Sequence, residues 1–96
     1  MKVFKDLEFK PREFGGVGAS LTLDNGIIVS VIASRGSYST PREDLASPEE
    51  YSSFEVALLD EDREWITGLV IPGCNDDVIG WQSREQINSI MLIAQI

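Results

Sequence analysis

The sequence predicts one α+β domain: a mainly antiparallel β-sheet of about five strands, a long polar loop and one C-terminal helix packed on the sheet. Three observations carry this. Short apolar runs bounded by turn residues recur from position 3 to position 71, an Asn-Gly pair joins two of them, and the final segment switches to helical apolar spacing. Strands followed by a helix, without strand–helix–strand alternation, give an antiparallel sheet. A chain of 96 residues suits a single hydrophobic core, so residues 1–96 are read as one domain.

In chain order, residues 3–9 read as a strand, with Val3, Leu7 and Phe9 on one side and Asp6 and Glu8 on the other. Pro11 and the run Phe14-Gly15-Gly16-Val17-Gly18 interrupt it. Ala19 to Leu23 alternates, Asp24-Asn25-Gly26 turns the chain, and Ile27 to Ile32 returns, a hairpin expected to use a two-residue type I′ turn. The returning strand is apolar on both faces, so it is placed centrally, with the C-terminal helix as the cover for Ile28 and Ile32.

From Ser34 to Ser53 the chain is polar, Ser-rich and broken by Pro41 and Pro48, a long loop with a helical turn expected where Ser47 precedes Pro48. Phe54 to Leu59 is the next strand, Asp60 to Arg63 a turn, and Glu64 to Ile71 the expected return strand, ended by Pro72-Gly73. Ser83-Arg84-Glu85-Gln86 has the form of a capping box ahead of Ile87, Ile90, Met91 and Ala94, which share one helical stripe.

Composition narrows function. The chain has no histidine and one cysteine, which removes Ser/His/Asp and Cys/His catalysis and leaves no intramolecular disulfide. No cation stands within two residues of Cys74 to activate it as a nucleophile. No apolar run has the length of a signal peptide or a membrane span, so a cytoplasmic, non-membrane protein is expected. The net charge is −8, and four of the eight basic residues fall within the first twelve positions. From Glu43 to Asp77 there are eleven acids and one base, Arg63. Such a field repels phosphate backbones and anionic lipid and favours a basic partner, or serves solubility alone.

The candidate sites follow. Gly15, Gly16 and Gly18 invite a phosphate-loop reading, but no Lys-Ser/Thr follows and the next element is a strand, so a turn or bulge is preferred. Asp60 to Glu64 and Asn75 to Asp77 carry hard oxygen ligands, yet lack the spacing of a Ca²⁺ loop and read as solvated turns, with no metal or cofactor expected. Trp65 and Trp81 are either hinge packing, the ordinary fate of tryptophan, or exposed anchors of an interface, and Tyr38 and Tyr51 carry the same ambiguity.

Asp24-Asn25-Gly26-Ile27-Ile28-Val29-Ser30-Val31-Ile32, then Tyr51 through Ala57, then Asp76-Asp77-Val78-Ile79-Gly80-Trp81-Gln82-Ser83 before the final helix, resembles a group of small accessory proteins of tailed bacteriophages. The resemblance spans residues 20–90 and implies an accessory phage protein in host cytoplasm, with no catalytic residues attached. The residues and the resemblance together lead to a non-enzymatic protein that binds a protein partner through Glu43, Asp44, Glu49, Glu50, Asp60, Glu61 and Asp62, with Trp65 and Trp81 beside them. Inhibition of a host protein by presenting acidic loops is one route. The alternatives are a structural component that self-associates as a homo-oligomer through a sheet edge or the C-terminal helix, and a carboxylate-dependent metal enzyme.

Overall fold

The computed structural model describes residues 1–96. Five strands, β1 (Lys10–Pro11), β2 (Val17–Thr22), β3 (Ile28–Ala33), β4 (Phe54–Leu59) and β5 (Ile79–Gln82), pair antiparallel in sequence order as a meander. A one-turn helix, α1 (Thr67–Val70), lies between β4 and β5, and α2 (Arg84–Ala94) closes the fold.

Register decides which side chains make the core. Val17, Ala19 and Leu21 stand opposite Ala33, Val31 and Val29, and the last two stand opposite Val56 and Leu58. These residues share one face because side chains alternate along a strand. Ile87, Ile90, Met91 and Ala94 of α2 join them in one buried cluster. Ser83 starts the helix as its sequence predicts: its hydroxyl accepts from Gln86 N at 3.2 Å, and Gln86 Oε1 accepts from Ser83 N at 2.8 Å.

Four expectations are corrected here. The helix covers Val29 and Val31, not Ile28 and Ile32, which belong to the opposite face with Gly18, Ser20, Ser30, Glu55, Ala57 and Leu59. Ile28 is nonetheless buried, placed as it is between Thr22 and Leu59 on the flanking strands.

The stretch 3–9 is not a strand. A 3₁₀ turn at Phe4–Asp6 replaces it, closed by Val3 N donating to Asp6 Oδ2 at 2.8 Å and tied to α2 by Phe4 N donating to Asn88 Oδ1 at 2.8 Å. In an extended chain positions 4 and 9 point to opposite sides. The turn lets both Phe4 and Phe9 reach Phe54, with ring centroids 5.3 and 5.5 Å away.

The expected return strand after Asp60 also fails. Only Trp65 bridges back to Leu59, and then Thr67 takes over. Its buried hydroxyl accepts from Leu58 N at 2.9 Å and donates to Asp77 O at 2.6 Å. One side chain thus satisfies backbone that a strand would have satisfied, and the chain turns into α1. The fifth strand is Ile79–Gln82 instead, paired with the first half of β4.

The long loop from 34 to 53 is present as predicted, including the 3₁₀ turn Pro48–Glu50 with Ser47 at its cap. The Asn-Gly hairpin is present, but its turn is wider than type I′. Gly26 N donates to Leu23 O and Leu23 N to Ile27 O, with positive φ at Gly26 alone, the pattern of a type I turn plus a left-handed glycine. The wider loop leaves Asn25 Nδ2 free to donate to Ala94 O, 2.7 Å away at the end of α2.

The Asp60 turn repeats this geometry with Arg63 in the glycine position, at φ +63°. A side chain there carries a steric penalty that glycine avoids. Arg63→Gly is therefore expected to raise stability by about 0.5–1 kcal/mol, seen as a melting midpoint higher by a few degrees; a lower midpoint would contradict this account. Ile87→Ala, which empties the centre of the α2 contact, is expected to cost about 2–4 kcal/mol in denaturant unfolding with an unchanged m-value.

Candidate functional site

The meander sends its connections alternately to two ends. The turns at Asp24–Gly26 and Asp60–Glu64 share one end, called here the tip. The loop 34–53 and the β1–β2 turn at Arg12–Gly16 share the other. Six-residue strands separate the two ends by roughly 20 Å.

This splits the predicted acidic site. Asp60, Glu61 and Asp62 lie at the tip, where they meet the other hairpin: a Cβ added to Gly26 would fall 2.5 Å from Glu61 Oε1, and Asn25, Gly26, Asp60, Glu61 and Asp62 line one shallow hollow. Glu43, Asp44, Glu49 and Glu50 lie at the loop end. Both tryptophans are exposed, Trp65 at 51% and Trp81 at 54%, so neither is hinge packing. Trp65 stands beside the tip and Trp81 on β5.

Several of these carboxylates hold local structure. Asp60 Oδ1 accepts from Asp62 N and Glu64 N, each at 2.9 Å. Glu50 Oε2 accepts from Ala46 N and Ser47 N, each at 3.1 Å. Asp44 Oδ1 accepts from Arg35 N at 2.9 Å. The Ser47 hydroxyl donates to Glu49 and, with the Glu49 backbone N–H and Arg84 adding to it, holds that carboxyl below its ordinary range. Because the folded value is depressed, this small contribution is present above the ordinary carboxyl range and is lost as pH falls. The tip carboxylates Asp24, Glu61, Asp62 and Glu64 are all exposed.

At the loop end the structure assembles a group that the sequence reading did not connect. Tyr38 and Trp81 stack with centroids 5.0 Å apart and planes 29° from parallel, and the Arg42 guanidinium carbon sits 5.4 Å from the Tyr38 centroid. Two hydrogen bonds from backbone N–H groups hold the pair: Trp81 N donates to Tyr38 O at 2.8 Å, and Tyr38 N donates to the Glu55 side-chain Oε1 at 3.1 Å. Trp81 occupies a bulge, with three residue steps on β5 facing two on β4, and its φ of +52° is rare for a bulky residue.

Gly80 makes the stack possible, since a Cβ there would lie 2.7 Å from Tyr38 Cβ. Two signals in the sequence fit this in hindsight. Glu55 is the one charge in Phe54-Glu55-Val56-Ala57-Leu58-Leu59, and Gly80 interrupts a strand directly before an aromatic residue. Tyr51, the other ambiguous tyrosine, is buried. Its hydroxyl accepts from Leu45 N at 2.8 Å and donates to Glu43 O, which makes it a strut inside the loop.

Beside this stack, a cleft of about 590 Å³ lies over the uncovered face, with Arg12, Phe14, Ile32, Ser34, Arg35 and Glu55 among its walls. No group of three or more His, Cys, Asp or Glu side chains is placed to hold a metal ion, and no helix is long and apolar enough to cross a membrane. Cys74 is partly buried, its Sγ 3.2 Å from Asp76 O. Comparison with protein-family models, curated proteins and solved structures finds no match to this chain.

Gly80→Ala is expected to push Tyr38 off Trp81, costing about 1–3 kcal/mol and weakening the near-ultraviolet circular dichroism of the aromatic pair. Retention of both the signal and the melting midpoint would show that the stack does not depend on the missing side chain.

Proposed function

We propose that this chain is a non-enzymatic binding protein that engages a protein with a basic surface through the acidic tip of its sheet. One observation carries the reading: the turns at Asp24–Gly26 and Asp60–Glu64 meet through Gly26 and Glu61 at one end of the sheet, and those turns carry exposed Asp24, Glu61, Asp62 and Glu64 with a half-exposed Trp65 following them. Exposed carboxylates on a rigid sheet end attract a basic partner at long range. A tryptophan among them offers the large, stiff contact that interface hot spots favour. The net charge of −8 disfavours direct binding to nucleic acid or anionic membrane. It fits competition with nucleic acid for a basic protein, in the cytoplasmic setting of the phage accessory proteins that residues 20–90 resemble.

A second reading is self-association through α2. Leu92 and Ile93 are each 40% exposed, and Ile96 is almost fully exposed. The sheet edges favour it less. β1 has two residues and contains Pro11, while β5 is four residues long with a bulge, and short, interrupted edges resist strand addition.

The test compares two variants of equal charge change against a partner captured from host lysate. Changing Glu61→Gln, Asp62→Asn and Glu64→Gln together is expected to slow association about tenfold at low salt, with the melting midpoint kept, because exposed charges add little to folding. A loop-end triple, Glu13→Gln, Glu43→Gln and Glu85→Gln, is expected to slow it far less. Equal slowing by both variants would leave only the net charge at work and remove the tip as the interface. A stable dimer in light scattering that dissociates with Leu92→Ser would favour the second reading.

A further inference from the structure

We propose that the loop-end cleft is a binding site for a compact oxyanion, a carboxylate or phosphate monoester borne on a small flat apolar body, held by the guanidinium groups of Arg12 and Arg35. This site does not rest on the acidic tip and stands or falls apart from it.

The cleft is built rather than incidental, because glycines make room for its charged walls. Gly18 gives space to the stem of Arg12, whose Cγ and Cδ lie 3.3 Å from where a Cβ would stand. Gly15 gives space to Asp44, whose carboxylate lies 2.5–2.8 Å from the corresponding point, and Gly15 itself has φ +107°. The glycine run read from the sequence as a turn is therefore a turn that also seats two opposite charges. The volume of about 590 Å³ falls within the range of small-molecule sites, roughly 300–1,000 Å³.

Counting charges alone leaves the cleft neutral, since Arg12 and Arg35 face Asp44 and Glu55. The hydrogen-bonding geometry separates the two signs. Asp44 Oδ1 accepts from Arg35 N, and Glu55 Oε1 accepts from Tyr38 N at 3.1 Å, so both acids hold the 34–44 segment down.

Arg12 is positioned by a neutral hydroxyl: its NH1 donates to Ser34 Oγ at 3.2 Å, and Ser34 Oγ lies 2.6 Å from Ser37 Oγ, with both serines buried. That bond uses one of the five donors of a guanidinium. Arg35 is exposed, its backbone fixed by Asp44. Arg12, held by that bond, and Arg35 line the same cleft, and a guanidinium fork matches the paired oxygens of a carboxylate or phosphate better than any other side chain does.

Phe14, 92% exposed at the rim, and half-buried Ile32 within the cleft supply the apolar contact for the ligand body. The chain's charge of −8 repels polyanions, so the ligand carries one or two charges.

The test uses the intact protein and four probes: phenyl phosphate, benzoate, inorganic phosphate, and sodium chloride at matched ionic strength. For an affinity near ~1 mM, phenyl phosphate or benzoate at ~10 mM is expected to raise the melting midpoint by several degrees beyond the chloride control. Amide resonances of Gly15 and Gly36 are expected to shift along with it. A larger effect of phenyl phosphate assigns the source to phosphate esters, and a larger effect of benzoate assigns it to carboxylates. A rise with inorganic phosphate equal to that with phenyl phosphate keeps the oxyanion site and removes the apolar part of the proposal. Arg35→Gln, at an exposed position with little to lose in folding, is expected to abolish the effect, as is Arg12→Gln. No rise beyond chloride with any probe overturns the site. So does a rise that survives in the Arg35→Gln protein.

Discussion

The register between β3 and β4 is the constraint from which the rest of the molecule follows. Opposing Val29 to Leu58 and Val31 to Val56 puts these four side chains, with Phe54, on the face that α2 covers. A slip of β4 by one residue would bring Glu55 and Ala57 under the helix and turn Val56 and Leu58 to the other face. The same register sends Glu55 outward, where it holds Tyr38 and, through it, the aromatic stack. Core and surface site are thus two readings of one alignment.

Much of this was legible in the chain. Alternation in residues 19–23, short β-branched or apolar runs, an Asn-Gly turn and a Ser-to-Gln capping box are local signals, and they located β2, β3, β4 and α2 to within a residue or two. The errors fell where a distant side chain overrode a local preference. Residues 64–71 have the β-branched composition of a strand, but the Thr67 hydroxyl satisfies Leu58 and Asp77 backbone and bends the chain away. Residues 3–9 alternate, yet Phe4 and Phe9 both gain contact with Phe54 only if the alternation breaks. Phe54 lies far from residues 3–9 in sequence, and the Thr67 bonds span nine and ten residues in both directions, so neither interaction shows in the local alternation of the segment it redirects.

The candidate surfaces were less legible for a related reason. Acidic residues counted along the chain from 43 to 77 look like one patch, whereas a meander sends successive connections to opposite ends. The count also treats every carboxylate alike, though Asp44, Glu50 and Asp60 accept backbone N–H groups and so shape loops in addition to charging them. Arg12 and Glu55 escaped notice because each looks ordinary alone, and Tyr38 was noticed without its partner Trp81. What marks Arg12 and Tyr38 is the glycine each packs against, Gly18 and Gly80.

The position of α2 in chain order has a bearing on how the protein is made. Each strand whose inner face it covers is synthesised before it. At about 5–20 residues per second, roughly 2–7 s separate the appearance of Leu58 from that of Ala94. For that interval the valine-rich face has no intramolecular cover, and the growing chain is a substrate for chaperones or for unwanted association. The short, proline- and bulge-bearing edge strands then act as a safeguard during biosynthesis, limiting how far two unfinished sheets can zip together before the helix arrives.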